Sequence, residues 1–547
     1  MLSTMQDEFA LTVPAIMRHT EGLHGDVELV VADGDSGDAG EHVTRVPYAV
    51  VADRARRLAG ALRAAGVGEG ERVGTFMWNS QAHLEAYFGV PSSGGVLHTI
   101  NLRLFAEQIA QIIDHAQDRV LLVDATVWDQ IAPVLAERTS LDLVVVDGDL
   151  DLEAASGETG LSVVGYEDFL SSGQPYVHDL RDERAAAAMC YTSGTTGDPK
   201  GVVYSHRSVY LHAVANLTAA GFGIGDRDRL LQVVPMFHAN GWGFPYAAWL
   251  GGAGLILPGR HLHPDVLAPL IARERPTVSG GVPTVWRGVF DYARDHAIDL
   301  TSLRIISCAG SAVPEALLRD YVGLGIEMYQ AWGMTETSPL AAIARPPALD
   351  RGKDEWYWRT RTGRPVPGVE VRTVAEDGTV LPADGASVGE LEVRGPWVTG
   401  SYHGGVGAEK FHDGWLRTGD MGTVDPAGAM KITDRLKDLI KSGGEWISST
   451  ELENLLTSHP DVAEVAVIAI PDERWEERPL AIVVRRAGST VSDEALREHV
   501  RAHVAKWQAP EHWARLDVIP KTGVGKIDKQ LLRAQVADGT LTFVTLT

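Results

Sequence analysis

The hydrophobic positions of this chain recur with two periods in its N-terminal half. In residues 48–66 apolar side chains return every three or four positions, which predicts an amphipathic helix. Short apolar runs predict buried strands between the helices. Because strands that alternate with helices form parallel sheets, we expect an α/β arrangement over residues 1 to about 180. The runs lie at 72–77, 119–125 and 141–149.

The pattern changes further along the chain. Residues 365–434 show period-two character with Gly and Asp turns, which predicts a β-rich region. A smaller βαβ pattern follows, in which Thr450 and Glu453 form a capping-box sequence at the start of a short helix. The segment 432–445 is charged and then Gly-rich, which is typical of a hinge followed by a loop but also of an ordinary surface connection. Residues 494–508 predict an amphipathic helix.

Composition excludes several classes of protein. A chain of 547 residues is too long for one compact core, so we expect several domains. Its formal net charge of −24 argues against general binding of nucleic acids or anionic membranes. Cys190 and Cys308 are too few and too far apart for a disulfide framework or a zinc site, and they predict buried thiols in a reducing cytoplasm. We see no signal peptide and no transmembrane segment, so we expect a cytoplasmic location.

The strongest local signal is the stretch YTSGTTGDPKG at residues 191–201. Glycines allow backbone N–H groups to approach phosphate oxygens, hydroxyls add donors, and a lysine supplies a cation. Pro199 precedes the lysine, so the stretch is not a Walker A loop. The alternative is a flexible Ser/Thr/Gly loop, but an apolar strand runs into this one, which favours phosphate binding. The predicted phosphate contacts are Thr192, Ser193, Gly194, Thr195, Thr196, Gly197 and Lys200.

This loop resembles the signature of the adenylate-forming (AMP-binding) superfamily. Five further motifs of that superfamily follow in the same order, so the likeness spans nearly the whole chain. They are GSAVP (310–314), YQAWGMTET (329–337), GWLRTGD (414–420), DRLKD (434–438) and PKTGVGK (520–526). Within the superfamily the chain is most similar to the medium- and long-chain fatty acyl-CoA synthetases, through residues 233–246, 441–448 and 473–484.

The resemblance implies both a fold and a reaction. It implies an α/β fold with a large N-terminal domain (1–434) built of two α/β subdomains and a β-rich one, a hinge at 435–437, and a small mobile α/β C-terminal domain (438–547). The carboxylate of an acid would attack the α-phosphate of ATP and expel pyrophosphate. The thiol of coenzyme A would then attack the acyl adenylate and release AMP. ATP, Mg²⁺ and coenzyme A are therefore the expected co-substrates and cofactor.

The resemblance also assigns roles on the nucleotide side. Lys526 would bridge the substrate carboxylate and the α-phosphate, and Thr192 and Glu336 would hold Mg²⁺, although Thr-Glu-Thr is also a typical helix start. Asp420 and Arg435 match the residues that hold the ribose, since a carboxylate can accept two hydroxyls at once. The remaining predicted contacts to the nucleotide are Gly310, Ser311, Ala312, Gln330, Ala331, Trp332, Gly333 and Thr335.

On the acyl side, the resemblance places His238, after an apolar run expected to be a strand, beside the carboxylate. Trp242 would stand at the mouth of an acyl tunnel, between two glycines that permit movement; a core Trp is the alternative. Gly281 and Val282 would line the acyl pocket. Lys437, Lys441 and Trp446 would contact the acyl adenylate, and Ser442, Gly443, Gly444 and Glu445 the coenzyme A channel.

Alternatives remain open. The acid could be aryl or branched, or the acceptor could be a carrier protein. A non-catalytic nucleotide-binding protein would not need both Lys526 and Glu336, and a phosphotransferase would release ADP rather than AMP. Relatives of this kind are often homodimers, so a homodimer is a further expectation.

Overall fold

The structure is a computed structural model that describes residues 4–6, 8–33, 42–136, 140–192, 199–349, 352–443, 445–522 and 527–546. Within these ranges the strands form four sheets. No helix in the described ranges has the length and apolar character needed to cross a membrane.

The first two sheets are mainly parallel, and their strands lie between residues 28 and 365. The first sheet has, in spatial order, strands Ser162–Gly165, Leu143–Asp147, Asp118–Asp124, Arg72–Phe76, Val96–Thr99, Ala186–Tyr191 and Gly201–Ser205. The second has Arg364–Pro365, Leu340–Ile343, Glu327–Gly333, Ile305–Cys308, Val278–Gly281, Arg229–Leu231, Gly254–Leu257, Glu28–Asp33 and His42–Pro47.

The other two sheets are mainly antiparallel. The third has Glu370–Val374, Gly389–Arg394, Trp415–Val424 and Phe411–His412, with Met430–Arg435 also paired to Trp415–Val424. The fourth has Glu445–Ile447, Ile440–Ser442, Glu476–Arg485, His512–Arg515 and Val544–Thr545, with Val462–Asp472 also paired to Glu476–Arg485. The predicted α/β class, with a large N-terminal and a small C-terminal part, is confirmed.

Helices cover the sheets of both parts. In the large part they are Val13–His24, Tyr48–Ala64, Gln81–Ser93, Ala106–Ala116, Trp128–Leu135, Leu152–Thr159, Tyr166–Ser172, His206–Leu217, Phe244–Gly251, Pro264–Glu274, Pro283–Asp295, Glu315–Gly323 and Glu355–Arg359. In the small part they are Ser449–Thr457, Asp493–Arg501 and Lys529–Ala537. Short 3₁₀ turns cover Ala125–Val127, Ala239–Gly243, Thr335–Thr337, His403–Gly405 and Ala408–Lys410.

The helix Tyr48–Ala64 shows why the apolar periodicity predicts structure well here. Its Val51, Ala55, Leu58 and Leu62 are spaced by three or four residues and are fully buried. They pack against the buried helix Gln81–Ser93, where Gly89 permits close approach, since a Cβ there would lie 2.7 Å from the carbonyl oxygen of Ala55. Apolar side chains of the first two sheets share one core, so these sheets form a continuous body.

Two predicted helix features are wrong in the small part. The helix Ser449–Thr457 is capped by Ser448, whose hydroxyl accepts a hydrogen bond from the backbone N–H of Glu451, and not by Thr450. Glu453, the expected partner in the capping box, is instead half-buried and paired with Lys529, with 2.7 Å between the carboxylate and Nζ. The helix predicted to reach residue 508 ends at Arg501. The two cysteines are free and buried, as predicted.

The carboxyl ends of two neighbouring parallel strands bring a pair of carboxylates together. Asp124 and Asp147 are aligned in register, and burial, followed by the charge of Asp124, raises the pKa of Asp147 to about 6. The folded state therefore binds this proton more tightly than the unfolded chain. Its contribution to the free energy of unfolding is largest at low pH and is lost as pH rises from about 4 to about 6.

We expect Asp147→Asn to raise the free energy of unfolding by about 1–2 kcal/mol at pH 8 and to change it little at pH 4, because only the ionised form is penalised. Thermal unfolding midpoints at the two pH values test this. Asp149→Asn, at an exposed position two residues away, is the control. An equal shift for Asp147→Asn at both pH values would contradict the assigned cause.

Candidate active site

A cavity of about 350 Å³ lies where residues that follow strands Ile305–Cys308 and Glu327–Gly333 meet residues from the first and third sheets. The carboxyl ends of parallel strands are the usual position of ligand sites in α/β folds. Many predicted site residues line this cavity together, although they are far apart in the sequence. They are Thr192, Lys200, His238, Trp242, Gly310, Ala331, Trp332, Gly333, Thr335, Glu336, Arg435 and Lys437.

The residues that flank the predicted phosphate loop, Thr192 and Lys200, both line the cavity. The backbone N–H of Thr192 donates to the carbonyl of Lys200 (2.9 Å), and the N–H of Lys200 donates to the hydroxyl of Thr192 (3.3 Å). These bonds close the base of the loop and bring Thr192 and Lys200 to one side of the cavity. The predicted contacts Ser193, Gly194, Thr195, Thr196 and Gly197 lie outside the described residues.

Glu336 occupies a rigid turn on the same side. The short 3₁₀ turn Thr335–Thr337 follows the strand Glu327–Gly333, and the carboxylate of Glu336, at a residue only 7% exposed, accepts a hydrogen bond from the hydroxyl of Tyr402 (2.7 Å). From the other side, the hydroxyl of Tyr204 donates to the carbonyl of Thr335 (2.7 Å). The turn thus holds a buried anion at the wall of the cavity.

Asp420 and Arg435 face each other on paired strands of the third sheet. They are aligned in the antiparallel register, and their side chains form an ion pair of 3.2 Å. The indole N–H of Trp332 donates to the other carboxylate oxygen of Asp420 (2.9 Å). Asp420 contacts Trp332 and Arg435, which line the cavity, but does not line it itself. Gln330 is also outside the lining, and its side chain accepts a hydrogen bond from the N–H of Val313 (3.1 Å). The residues Ser311 and Ala312 are not part of the cavity lining.

Aromatic side chains form a further part of the cavity lining. His238 and Trp242 lie on a turn in which Asn240, Gly241 and Trp242 have φ values of 37°, 58° and 59°. The ring of Phe244 lies 6.3 Å from that of Trp242 and 5.7 Å from that of Phe222. All three rings line the cavity, so an apolar surface continues from the polar one.

The residues before His238 do not form the predicted strand. The preceding strand, Arg229–Leu231, ends before them, and residues 233–237 form a mostly buried segment without regular secondary structure. The side chain of Asn79 replaces the missing ladder, since its amide donates to the carbonyl of Gln232 (2.7 Å) and its oxygen accepts from the N–H of Met236 (2.7 Å). Pro235 has no N–H to offer to a sheet, which is consistent with this course.

Helix His206–Leu217 supports the aromatic turn from behind. Its His212 accepts a hydrogen bond at Nε2 from the N–H of Leu340 (3.2 Å), and burial lowers the pKa of His212 to about 3. A Cβ on Gly243 would collide with the His212 ring, so only glycine fits beside it at this positive φ. The imidazole therefore acts here as a neutral packing group.

Cations line the cavity of a strongly acidic protein. Among the described lining residues these are Lys200, Lys410, Arg417, Arg435 and Lys437, against the single carboxylate of Glu336. Arg417 is paired with Glu390, and burial lowers the pKa of Lys437. This local excess of positive charge is suited to a polyanionic ligand.

Other predicted residues are not brought to the cavity. Gly281 and Val282 lie outside its lining. Lys441 and Trp446 are opposite each other on the hairpin formed by Ile440–Ser442 and Glu445–Ile447, where Lys441 pairs with Glu476 at 3.3 Å and Trp446 is 51% exposed. The same hairpin carries Ser442, Gly443 and Glu445, and Ser442 accepts a hydrogen bond from Arg478 (2.9 Å). Gly444 and Lys526 lie outside the described residues.

Several lining residues were not predicted. They are Asn216, Phe222, Ala239, Phe244, Ser307, Ala309, Met334, Pro339, Leu340, Tyr402, Lys410, Arg417, Thr418, Gly419 and Leu436. Many lie inside the recognised motifs, as Met334 does in 329–337 and Leu436 in 434–438, so assigning a role to every motif residue would have found them. Tyr402 and Phe222 stand apart from any recognised motif, and their sequence neighbourhood gives no signal.

The donor set fits Mg²⁺ that arrives with a nucleotide. In the described part of the chain no group of three or more His, Cys, Asp or Glu side chains could hold a metal ion. The carboxylate of Glu336 and the hydroxyl of Thr192, the two predicted metal ligands, are among the groups that line the cavity. Mg²⁺ usually takes one or two protein oxygens and completes its coordination with phosphates and water, which this set permits.

The chain was compared with protein families and with known proteins. The family model for AMP-binding enzymes matches residues 24–403, and that for the AMP-binding enzyme C-terminal domain matches residues 451–526. A long-chain-fatty-acid–CoA ligase of Thermus thermophilus is 43% identical over 97% of each chain. A 3-methylmercaptopropionyl-CoA ligase of Ruegeria pomeroyi is 41% identical over 96% of this chain and 98% of its own.

The fold also has solved counterparts. The crystal structure of the anthranilate CoA ligase AuaEII in complex with anthranoyl-AMP matches 98% of this chain and 100% of its own, with a TM-score of 0.85 at 24% identity, which supports the fold alone. Family models that together span most of the sequence, and relatives above 40% identity over nearly its full length, leave one assignment. The chain belongs to the AMP-binding enzyme family.

Proposed function

We propose that the protein is an ATP-dependent, AMP-forming ligase that activates a fatty acid as its acyl adenylate and transfers the acyl group to coenzyme A. The observation that carries this proposal is the continuity of two surfaces in one cavity. Cations, hydroxyls and Glu336 line it, and so do the rings of Trp242, Phe244 and Phe222, which contact one another. A carboxylic acid with an apolar tail, lying beside ATP, needs both surfaces.

In the first step a carboxylate oxygen of the acid forms a bond to the α-phosphorus of ATP, and the bond to pyrophosphate breaks. Negative charges crowd together, so fixed cations are required. Bound Mg²⁺ would neutralise phosphate charge in this step. We assign Lys200 and Thr192 to the phosphates, and Glu336 together with Thr192 to the metal. Asp420 and Arg435 are assigned to the ribose, and Lys526 to the reacting carboxylate.

In the second step the sulfur of coenzyme A forms a thioester bond with the acyl carbon, and the bond to AMP breaks. We assign Lys441, Trp446 and the loop 442–445 to this step. The hinge is proposed at 435–437, between a strand of the third sheet that ends at Arg435 and a strand of the fourth that begins at Ile440. Rotation at this hinge would move Lys526 out of the active site and bring in the hairpin formed by Ile440–Ser442 and Glu445–Ile447.

A screen of acids tests the proposed function. AMP release should depend on both the acid and coenzyme A, and kcat/KM should be highest for decanoate or a longer acid. A second candidate acid is a short thioether acid such as 3-methylmercaptopropionate, favoured by the 41% identical Ruegeria relative. Highest kcat/KM for that acid would support the second candidate. Activity with benzoate alone would contradict both, and ADP as the product would contradict an AMP-forming ligase.

A glycine behind Phe244 offers a test of the acyl side. A Cβ on Gly280 would lie 2.6 Å from the Phe244 ring, which must move. If Phe244 borders the acyl chain, we expect Gly280→Ala to lower kcat/KM for palmitate by about tenfold more than for butyrate, since roughly 1.4 kcal/mol of packing is at stake.

Gly323→Ala is the matched control for this variant, because nothing lies within 4 Å of a Cβ at the end of helix Glu315–Gly323. It should leave both acids unaffected. If Gly280→Ala lowers kcat/KM equally for both acids, Phe244 does not border the chain.

A further inference from the structure

Tyr402 lies between the two charged groups that the sequence assigns to the phosphates and the metal. It is buried and lines the cavity. Its hydroxyl donates to Oε1 of Glu336 (2.7 Å), and Nζ of Lys200 lies 5.1 Å from the centre of its ring, within range of a cation–π interaction. One side chain therefore contacts both an anion and a cation of the site.

The segment that carries Tyr402 is fixed to the turn that carries Glu336. The backbone N–H of Thr399 donates to the carbonyl of Glu336 (2.8 Å), and the hydroxyl of Ser338 donates to the carbonyl of Trp397 (2.8 Å). These bonds join residues 397–402 to the turn Thr335–Thr337 across a separation of about 60 residues. The position of Tyr402 is thus set by backbone contacts that do not depend on its hydroxyl.

The hydrogen bond runs from Tyr402 to Glu336, because a phenol O–H donates and an ionised carboxylate only accepts. Its bond occupies one carboxylate oxygen of Glu336 and leaves the second oxygen available to a cation. A carboxylate held in this way loses little freedom when it binds a metal.

We propose that Tyr402 is a positioning residue, which holds Glu336 through its hydroxyl and Lys200 through its ring so that the two can bind the magnesium complex of ATP. The hydroxyl acts on the metal side and the ring on the phosphate side. The inference rests on the proposed function only in that the cavity takes ATP.

Two substitutions separate the two contacts. Tyr402→Phe removes the hydroxyl and keeps the ring, whereas Tyr402→Leu removes both. Tyr357→Phe is the matched control, because the hydroxyl of Tyr357 also donates to a carboxylate, that of Asp425 (2.7 Å), and neither residue lines the cavity. Binding of ATP is measured by calorimetry with Mg²⁺ and with EDTA, and circular dichroism checks folding.

Tyr402→Phe should raise the Kd for Mg·ATP by about tenfold or more, as expected for loss of a hydrogen bond to a charged group. Its Kd for metal-free ATP should stay within about twofold of wild type, because the ring still contacts Lys200. Tyr402→Leu should weaken both, and Tyr357→Phe neither.

Two results would overturn the inference: Mg·ATP binding by Tyr402→Phe that equals that of wild type, or an equal loss with and without Mg²⁺, which would indicate general structural damage. The proposed function fails separately, if wild-type protein binds Mg·ATP but releases no AMP with any acid and coenzyme A.

Discussion

Lys526→Ala is expected to lower pyrophosphate release by about 100- to 1,000-fold, because a cation aimed at the charge that develops in adenylation would be lost. The Kd for ATP should change little, since Lys200 and the phosphate loop are assigned to the ground-state phosphates. Transfer of the acyl group from preformed acyl adenylate to coenzyme A should continue, because Lys526 is assigned to the first step alone. Pyrophosphate release and thioester formation are measured separately.

Lys521→Ala provides the control for this variant. Lys521 lies in the same segment and pairs with Glu464 at 3.0 Å, so its removal changes charge without touching the assigned chemistry. It should adenylate at nearly the wild-type rate. Normal adenylation by Lys526→Ala would show that the assigned role is wrong, and a parallel loss of both half-reactions would point to unfolding.

Glu336→Gln is expected to lower kcat for adenylation by about 100-fold. The amide has nearly the same shape and can still accept the hydrogen bond from Tyr402, but it carries no charge to hold a divalent cation. The loss should therefore be accompanied by a higher Mg²⁺ concentration at half-maximal rate. Titration of Mg²⁺ at saturating ATP measures both quantities.

Glu327→Gln is the matched variant at the other end of the same region. Glu327 begins the strand that leads to Glu336 and pairs with Arg359 at 2.7 Å, outside the cavity lining. The Mg²⁺ dependence of Glu327→Gln should match that of wild type. If Glu336→Gln also keeps the wild-type Mg²⁺ dependence, Glu336 does not hold the metal.

Local pattern predicted much of the fold, where burial alone decides the structure. The spacing of Val51, Ala55 and Leu58 places three apolar side chains on one helix face, and the helix Tyr48–Ala64 forms accordingly. The strands Asp118–Asp124 and Leu143–Asp147 likewise follow their apolar runs. Sheet order could not be read in this way, because it depends on pairings between distant strands.

The failures have physical causes that lie elsewhere in the sequence. Residues 233–237 are apolar enough for a strand, but the side chain of Asn79 satisfies the backbone there, from more than 150 positions away. Ser448, and not Thr450, caps its helix, and Ser448 and Glu451 have the same capping-box spacing two residues earlier, while Glu453 pairs with Lys529. At residues 233–237 a tertiary contact overrides a sound local pattern.

The site residues divide in the same way, into those that sequence motifs predict and those that only contacts between distant residues reveal. Motifs predicted Thr192, Glu336, Trp332 and Arg435, and the structure brings these residues to one cavity. Tyr402 was missed because its importance comes from a hydrogen bond to a residue 66 positions away. The aromatic side was predicted only in part, since Phe222 meets Phe244 through folding and not through sequence proximity.

The pairing of Asp420 with Arg435 has a consequence for the order of events in a catalytic cycle. Both residues belong to a ladder of the third sheet, and the proposed pivot begins with Arg435 itself, the last residue of that ladder. Reorientation of the C-terminal part would then leave the proposed contacts of Asp420 and Arg435 with the ribose intact. The nucleotide would stay bound through both half-reactions, and AMP would dissociate only after the thioester had formed.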